Sequence, residues 1–170
     1  DHSFHKHYTK IFDQLESPYI LYLALLLHDT GKSTKKKGRT HSDVGIDIAL
    51  RVAQRLELPE EDQKTLALLV EHHLTMAETS QRHDLEEQDE IQRFAEVIGN
   101  QERLNMLTLL TFSDSMGTSD ALWSGFKESL LWTLYDRTSR TLAGNAVEER
   151  ALDDEKNKVR EWLRTQLKPS

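Results

Sequence analysis

Residues 17–32, SPYILYLALLLHDTGK, decide how this chain is read. Ser17 and Pro18 spell a helix start, with a small hydroxyl residue at the cap and proline at the first helical position, where its missing N–H costs nothing. From Pro18 to Leu27 the residues are apolar almost all round, which predicts a central helix. It then runs into His28-Asp29, followed by Thr30-Gly31-Lys32. His28 continues the helical spacing of Leu21 and Ala24, so it extends the buried face. A core histidine beside a core carboxylate is costly unless something pairs with both, and a metal cation does so. The alternative is a satisfied His-Asp pair at a helix C-terminus, where the dipole favours a cationic ring.

The same helical period extends in both directions, and no stretch alternates cleanly with period two, so the predicted fold class is all-α. Upstream, Tyr8, Ile11, Phe12 and Leu15 share one face. Downstream, a polar loop from Ser33 to Thr40, with Lys35, Lys36 and Lys37, leads to a third helix ending near Leu56, with Val44, Ile48 and Val52 at four-residue spacing. Pro59 opens a fourth helix from Glu60 to about Leu74, acidic in its first turn, where the dipole favours carboxylates. A polar linker is expected around Thr79 to Glu87. Ile91, Phe94, Ala95 and Ile98 mark a fifth helix. Asn100 caps a sixth that carries Leu104, Leu107, Leu110 and Thr111 toward Asp114. Ser119 caps a seventh, from Leu122 to about Leu142, and Val147 to Leu167 reads as a separate charged amphipathic helix.

Three more ionisable positions stand out. Asp114 shares the apolar face of Leu104, Leu107, Leu110 and Thr111, and a buried carboxylate usually has a cation or strong donors near it; a solvent-exposed last turn near Gly117 is the alternative. His73 follows Leu66, Leu69 and Val70 at helical spacing, and His72 follows Thr65, Leu68 and Leu69 in the same way, so either can point inward. His41 stands at the start of the third helix, where it can equally be a polar helix start with Ser42 as cap. Neutral imidazole is the commonest metal ligand. His and Asp groups near the ends of apolar helices are how a helical bundle assembles a metal site.

Composition narrows the chemistry. The 170 residues suit one domain. There is no cysteine, which excludes disulfides, thiolate-bound zinc and thiol nucleophiles. A metal would be held by His, Asp or Glu, a donor set that suits zinc, iron or manganese among others. The net charge of −7 argues against a broad nucleic-acid surface. The longest apolar run, near Ile20 to Leu27, is too short to span a bilayer, and no export signal is read at the N-terminus, so a cytoplasmic location is expected.

His28-Asp29, His41, His72-His73 and Asp114 together resemble the HD metal-dependent phosphohydrolase superfamily. The stretches LALLLHDTGK, HSDVG, LVEHHLTMAETSQRHDL, LNMLTLLTFSDSMGT and LWSGFKESLLWTLYDRT are similar, more closely, to the HD domain of bacterial PII-protein uridylyltransferase/uridylyl-removing enzymes. The likeness covers roughly residues 17–142. It implies an HD-domain helical bundle over residues 1–144, with the metal site between helix ends, and a charged helix over 145–170 leading on to a domain outside this chain. It implies one or two divalent ions (Fe, Mn, Zn, Mg or similar) on His28, Asp29 and Asp114, with His41 and His73 as added ligands and His72 as second choice. Asp29 would bridge two ions, and Lys32 and Arg82 would meet the phosphate; surface ion pairing of Arg82 with Asp84 is the plain alternative. By helical spacing Trp123 and Lys127 fall one turn apart and can line a pocket edge together, with Trp123 as a core residue the equal alternative. The superfamily also has a ligand histidine upstream of the HD pair. Here HKHYT is followed directly by Lys10, so either a stretch is absent between Thr9 and Lys10 or His7 takes that place.

The implied function is metal-dependent hydrolysis of a phosphoester or phosphodiester. The implied substrate is phosphorylated or nucleotidylated, and removal of UMP from a small uridylylated PII-type signalling protein is the specific form, with no broad nucleic-acid surface and no membrane partner expected. The rival class is a regulatory HD module that binds a nucleotide or effector without catalysis.

Overall fold

The computed structural model describes residues 2–33, 41–118 and 123–166. Among these there are eight α-helices and no strand, as the absence of period-two patterning predicts. The helices are α1 (His2–Asp13), α2 (Pro18–Leu27), α3 (His41–Arg55), α4 (Glu60–Glu71), α5 (Thr75–Arg82), α6 (Gln88–Ile98), α7 (Gln101–Thr118) and α8 (Gly125–Gln166), with a short 3-10 turn at Thr30–Ser33 between α2 and α3. The expected lysine-rich loop and the Ser119 cap lie outside the described residues.

The centre is a three-way packing of α2, α4 and α7, with α3 against α4, α1 against α7, and α8 lying across α5, α6 and α7. Ile20, Leu66, Leu69, Leu104, Leu107 and Leu110 are all fully buried there. Burying a leucine or isoleucine side chain contributes roughly 1.5–3 kcal/mol, so this packing dominates the fold's stability. The central helix α2 is less enclosed than its composition predicts. Ile20, Leu21 and Ala24 are buried, whereas Tyr22 is 53% and Leu26 75% exposed, because α3, α4 and α7 cover only part of its circumference.

Helix ends follow local chemistry. The side chain of Asn100 caps α7, its Oδ1 accepting from the Arg103 amide at 2.9 Å. The start of α2 is capped from a distance. Ser17 makes no side-chain cap, and Glu102 Oε1 on α7 instead accepts from the amides of Glu16 (2.9 Å) and Ser17 (3.3 Å). After α3, Glu57 adopts φ 53° and the Leu58 amide reaches back to the Ala53 carbonyl at 3.1 Å, a left-handed stop usually given to glycine. Gly99 ends α6, also at positive φ (84°).

Three elements differ from expectation. On α3 the deeply buried line is Val44, Gly45, Ala49 and Ala53, while Ile48 and Val52 are only half-buried. Small residues let the α4 backbone approach, so the contact runs along them and not along the larger β-branched ones. The stretch expected as linker is partly helix: α5 buries Met76, Thr79 and Ser80. The charged tail is continuous with the preceding helix, α8 passing through Gly144 without a break.

Candidate metal centre

The site begins where α2 stops. His28 is its C-cap residue, with the His28 amide donating to the Ala24 carbonyl at 2.8 Å. The ring turns back so that Nδ1 lies 2.9 Å from the Leu25 carbonyl oxygen. A carbonyl only accepts, so a proton belongs on Nδ1, and in the neutral tautomer the lone pair is on Nε2. His73, just past the end of α4, is held in the same way, with Nδ1 2.8 Å from the Val70 carbonyl oxygen. Backbone carbonyls acting on the far ring nitrogen are how metal-ligating histidines are usually oriented.

The freed nitrogens face carboxylates. His28 Nε2 is 3.3 Å from Asp114 Oδ1 and 3.7 Å from Asp29 Oδ2, and His73 Nε2 is 3.6 Å from Asp29 Oδ1. The two rings meet edge to face with centroids 5.4 Å apart. His73 is 8% exposed, and its Nε2 is shut off from solvent with no hydrogen-bond partner. Buried polar atoms are rarely left so, because an unmade hydrogen bond there costs about 1–3 kcal/mol. Two ligand atoms each about 2.1 Å from a tetrahedral ion stand about 3.4 Å apart, close to these separations. The donors are imidazole nitrogen and carboxylate oxygen, which suits zinc, iron or manganese. The residues therefore fit a divalent ion in donor type and pairwise spacing. Among the described residues, however, no three such groups converge in a geometry that holds one.

A lysine stands close by. Lys32 Nζ lies 2.7 Å from Asp29 Oδ1 across the 3-10 turn, whose Lys32 amide donates to the Asp29 carbonyl at 3.0 Å. Partial burial pulls the Asp29 carboxyl upward, but the hydrogen bond from Lys32 and the positive field of His28, Lys32 and His73 outweigh it and hold it below the ordinary carboxylate range.

The other candidates are placed differently. His41 opens α3, exposed, with Nδ1 3.2 Å from the Gly31 carbonyl, so it is tied to the turn that carries Asp29 but touches none of the four clustered residues. His72 points away, its Nδ1 3.2 Å from the Thr75 hydroxyl and its Nε2 3.9 Å from Glu71 Oε2. Arg82 ends α5 exposed, paired neither with Asp84 nor with the cluster. His7 lies edge-on against Trp132 of α8, centroids 5.3 Å apart, and α1 is continuous through Thr9 and Lys10. Trp123 packs edge-on against Phe112, with centroids 5.9 Å apart, and Lys127 sits in the first turn of α8, its amide 3.3 Å from the Ser124 hydroxyl.

One pair escaped the sequence reading. A Cβ placed on Gly31 would stand 1.9 Å from the His41 carbonyl oxygen and 2.9 Å from the Gly45 amide nitrogen. The turn bearing Asp29 is thus pressed backbone-to-backbone onto the first turns of α3. Two glycines spaced fourteen apart leave no periodic signal in a sequence.

The HD domain family model matches residues 6–107. The chain is 40% identical over 134 residues to the bifunctional uridylyltransferase/uridylyl-removing enzyme of Ectopseudomonas mendocina, covering 79% of this chain and 15% of that protein. It is 41% identical over 134 residues to the protein so named from Nitrosococcus oceani, again covering 79% of this chain and 15% of that protein. Against the one from Chromobacterium violaceum it is 37% identical over 163 residues, covering 95% of this chain and 19% of the relative. The chain thus spans less than a fifth of the length of these curated relatives. No solved structure matches.

Proposed function

This chain belongs to the HD domain family, and from that premise we propose that His28, Asp29, His73 and Asp114 hold one or two divalent ions and that the chain hydrolyses a phosphoester there. Family membership supports a metal-dependent phosphohydrolase role. The observation that carries the assignment to these residues is the buried, unpartnered Nε2 of His73 beside the His28–Asp114 pair, with both rings fixed through Nδ1. A divalent ion in such a place lowers the pKa of a water molecule and polarises a phosphoryl oxygen.

The chain's own groups divide the remaining work. With Nδ1 directed at the Leu25 and Val70 carbonyls, His28 and His73 would turn Nε2 toward a bound ion. Asp29, between the two histidines, would supply negative charge to a bound ion, its carboxyl held below the ordinary range. Lys32 guards Asp29 and, once that carboxylate is engaged elsewhere, is free to meet a phosphate oxygen. His41, held on Gly31, is an additional ligand if the α3 end shifts toward Asp29. Arg82 is assigned to a substrate phosphate that bridges to the end of α5.

The substrate proposed is a uridylylated PII-type protein, from which UMP is removed. Support comes from the relatives, which are named for uridylyl removal. The setting expected for this work is the cytoplasm; no helix among the described residues is long and apolar enough to cross a membrane. The test has two stages. Metal content of the 170-residue chain and its hydrolysis of bis(p-nitrophenyl) phosphate should both fall in His28→Ala and Asp114→Ala; metal and turnover retained in both would end the assignment. Release of UMP from uridylylated PII then checks the substrate separately. A regulatory module without catalysis is the second reading, favoured by Lys32 already paired with Asp29. Metal uptake with no turnover on any phosphoester would select it.

A further inference from the structure

Away from the metal cluster, α1 and α8 enclose a second cavity of about 470 Å³, with His7, Lys10 and Gln14 on one wall and Trp132, Tyr135 and Asp136 on the other. We propose that it is a binding site for a mononucleotide, a flat heteroaromatic ring joined to an anionic phosphate. Its volume falls within the range of about 300–1,000 Å³ usual for small-molecule sites.

Trp132 meets His7 and Tyr135 edge-on, with centroids 5.3 and 5.2 Å apart, and is braced from behind by Tyr8 at 4.9 Å. Tyr135 is pinned, its hydroxyl donating to Asn105 Oδ1 at 2.9 Å and accepting from Gln101 Nε2 at 3.1 Å. The aromatic wall is therefore rigid before any ligand arrives, and rigid aromatic surface stacks on a nucleobase with little sequence preference. Lys10, on α1, and Gln14, in the turn just past its end, both line this side, so a cation and an amide stand on one wall. Asp136 faces them from α8. Neither Lys10 nor Asp136 has an ion-pair partner among the described residues. The lysine suits a phosphate, while Gln14 and Asp136 suit the amide, amino or ribose hydroxyl edge of the same molecule. An all-apolar ligand would leave these charges unanswered, and inorganic phosphate would leave the aromatic wall unused.

None of the lining residues belongs to the His28–Asp114 cluster, so this site and the metal centre can be tested apart. Uridine and adenosine monophosphate are titrated into the intact chain in the presence of EDTA, followed by tryptophan fluorescence and calorimetry, alongside the free nucleosides and inorganic phosphate. The expected result is saturable nucleotide binding that Lys10→Glu weakens at least about tenfold. Trp132→Leu should weaken both nucleotide and nucleoside, and Asp114→Ala should leave nucleotide affinity unchanged. Lys10 is exposed, so its variant keeps the test valid if Trp132→Leu misfolds. No binding at millimolar nucleotide would overturn the proposal. So would phosphate binding as tightly as nucleotide, or affinity lost with Asp114→Ala and kept with Lys10→Glu.

Discussion

His28 Nε2 lies 3.3 Å from Asp114 Oδ1, joining the end of α2 to the last turns of α7. With an Nδ1 proton directed at the Leu25 carbonyl, the neutral ring turns a lone pair toward that carboxylate. Two acceptors facing each other this closely repel unless a cation or proton stands between them. Asp114→Ala should therefore cut bound divalent metal to below about a tenth while changing stability of the metal-free chain by no more than about 1 kcal/mol, measured by elemental analysis and urea unfolding. A large loss of stability with metal retained would make Asp114 a structural residue.

Burial of His73 gives a second expectation. In the wild-type chain, saturating Zn²⁺ or Mn²⁺ should raise the melting temperature, because an ion that binds only the folded state adds about 2.7 kcal/mol at a hundred times its Kd. His73→Leu should abolish that increment. The metal-free variant should lose about 1 kcal/mol, from the Val70 carbonyl left without its imidazole donor. Thermal scans with and without metal read both.

Acid stability should follow Asp29. Its carboxyl is held below the ordinary range in the folded chain, so it titrates at lower pH folded than unfolded. The stability it contributes is present above the unfolded carboxylate pKa of about 3.9 and disappears as pH falls through the lower folded value. Asp29→Asn should be less sensitive to acid across that window in metal-free urea titrations. An unchanged pH dependence would show that Lys32 does not hold the carboxylate in solution.

Gly31 should tolerate no side chain. Gly31→Ala places a Cβ 1.9 Å from the His41 carbonyl oxygen, a backbone atom that cannot rotate away. Gly45→Ala meets Val70 Cγ1, a side-chain methyl, at 3.2 Å, with the Gly31 backbone at ordinary contact distance of 3.8 Å. The first should cost about 1–3 kcal/mol and displace Asp29 enough to weaken metal binding, and the second should cost less. Equal effects on melting temperature would contradict the close approach.

Glu57 invites the opposite change. At φ 53° it carries a conformation that costs an L-residue about 1–2 kcal/mol and glycine almost nothing. Glu57→Gly should stabilise the chain by about 0.5–1 kcal/mol after the greater freedom of glycine in the unfolded state is deducted. Denaturant midpoints of the two chains measure it.

Much of this was legible in sequence because its signal is periodic. Leu104, Leu107 and Leu110 set a phase that carries Asp114 toward the interior, and Leu21 and Ala24 do the same for His28. Spacing could not separate His72 from His73, since both follow apolar residues; the turn at the end of α4 decides it, sending one ring to Thr75 and the other to Asp29. Helix α5 was read as linker because its buried face includes Thr79 and Ser80, whose polarity hides the helical period. The α3 face was misphased for a related reason, since Gly45, Ala49 and Ala53 carry little hydrophobic weight yet allow the closest packing. Long-range capping by Glu102 and the contact of Gly31 with α3 depend on tertiary approach, which one segment of sequence does not encode.

The two rings at the candidate centre each donate through Nδ1 to the peptide chain three residues behind them. Their aim is inherited from the helix ends, so surrounding residues can drift over evolutionary time without disturbing it. The corresponding weakness is mechanical: unwinding one turn at Leu25 or Val70 would swing a ring out of line, and an event that frays either helix end would silence the centre without touching a ligand.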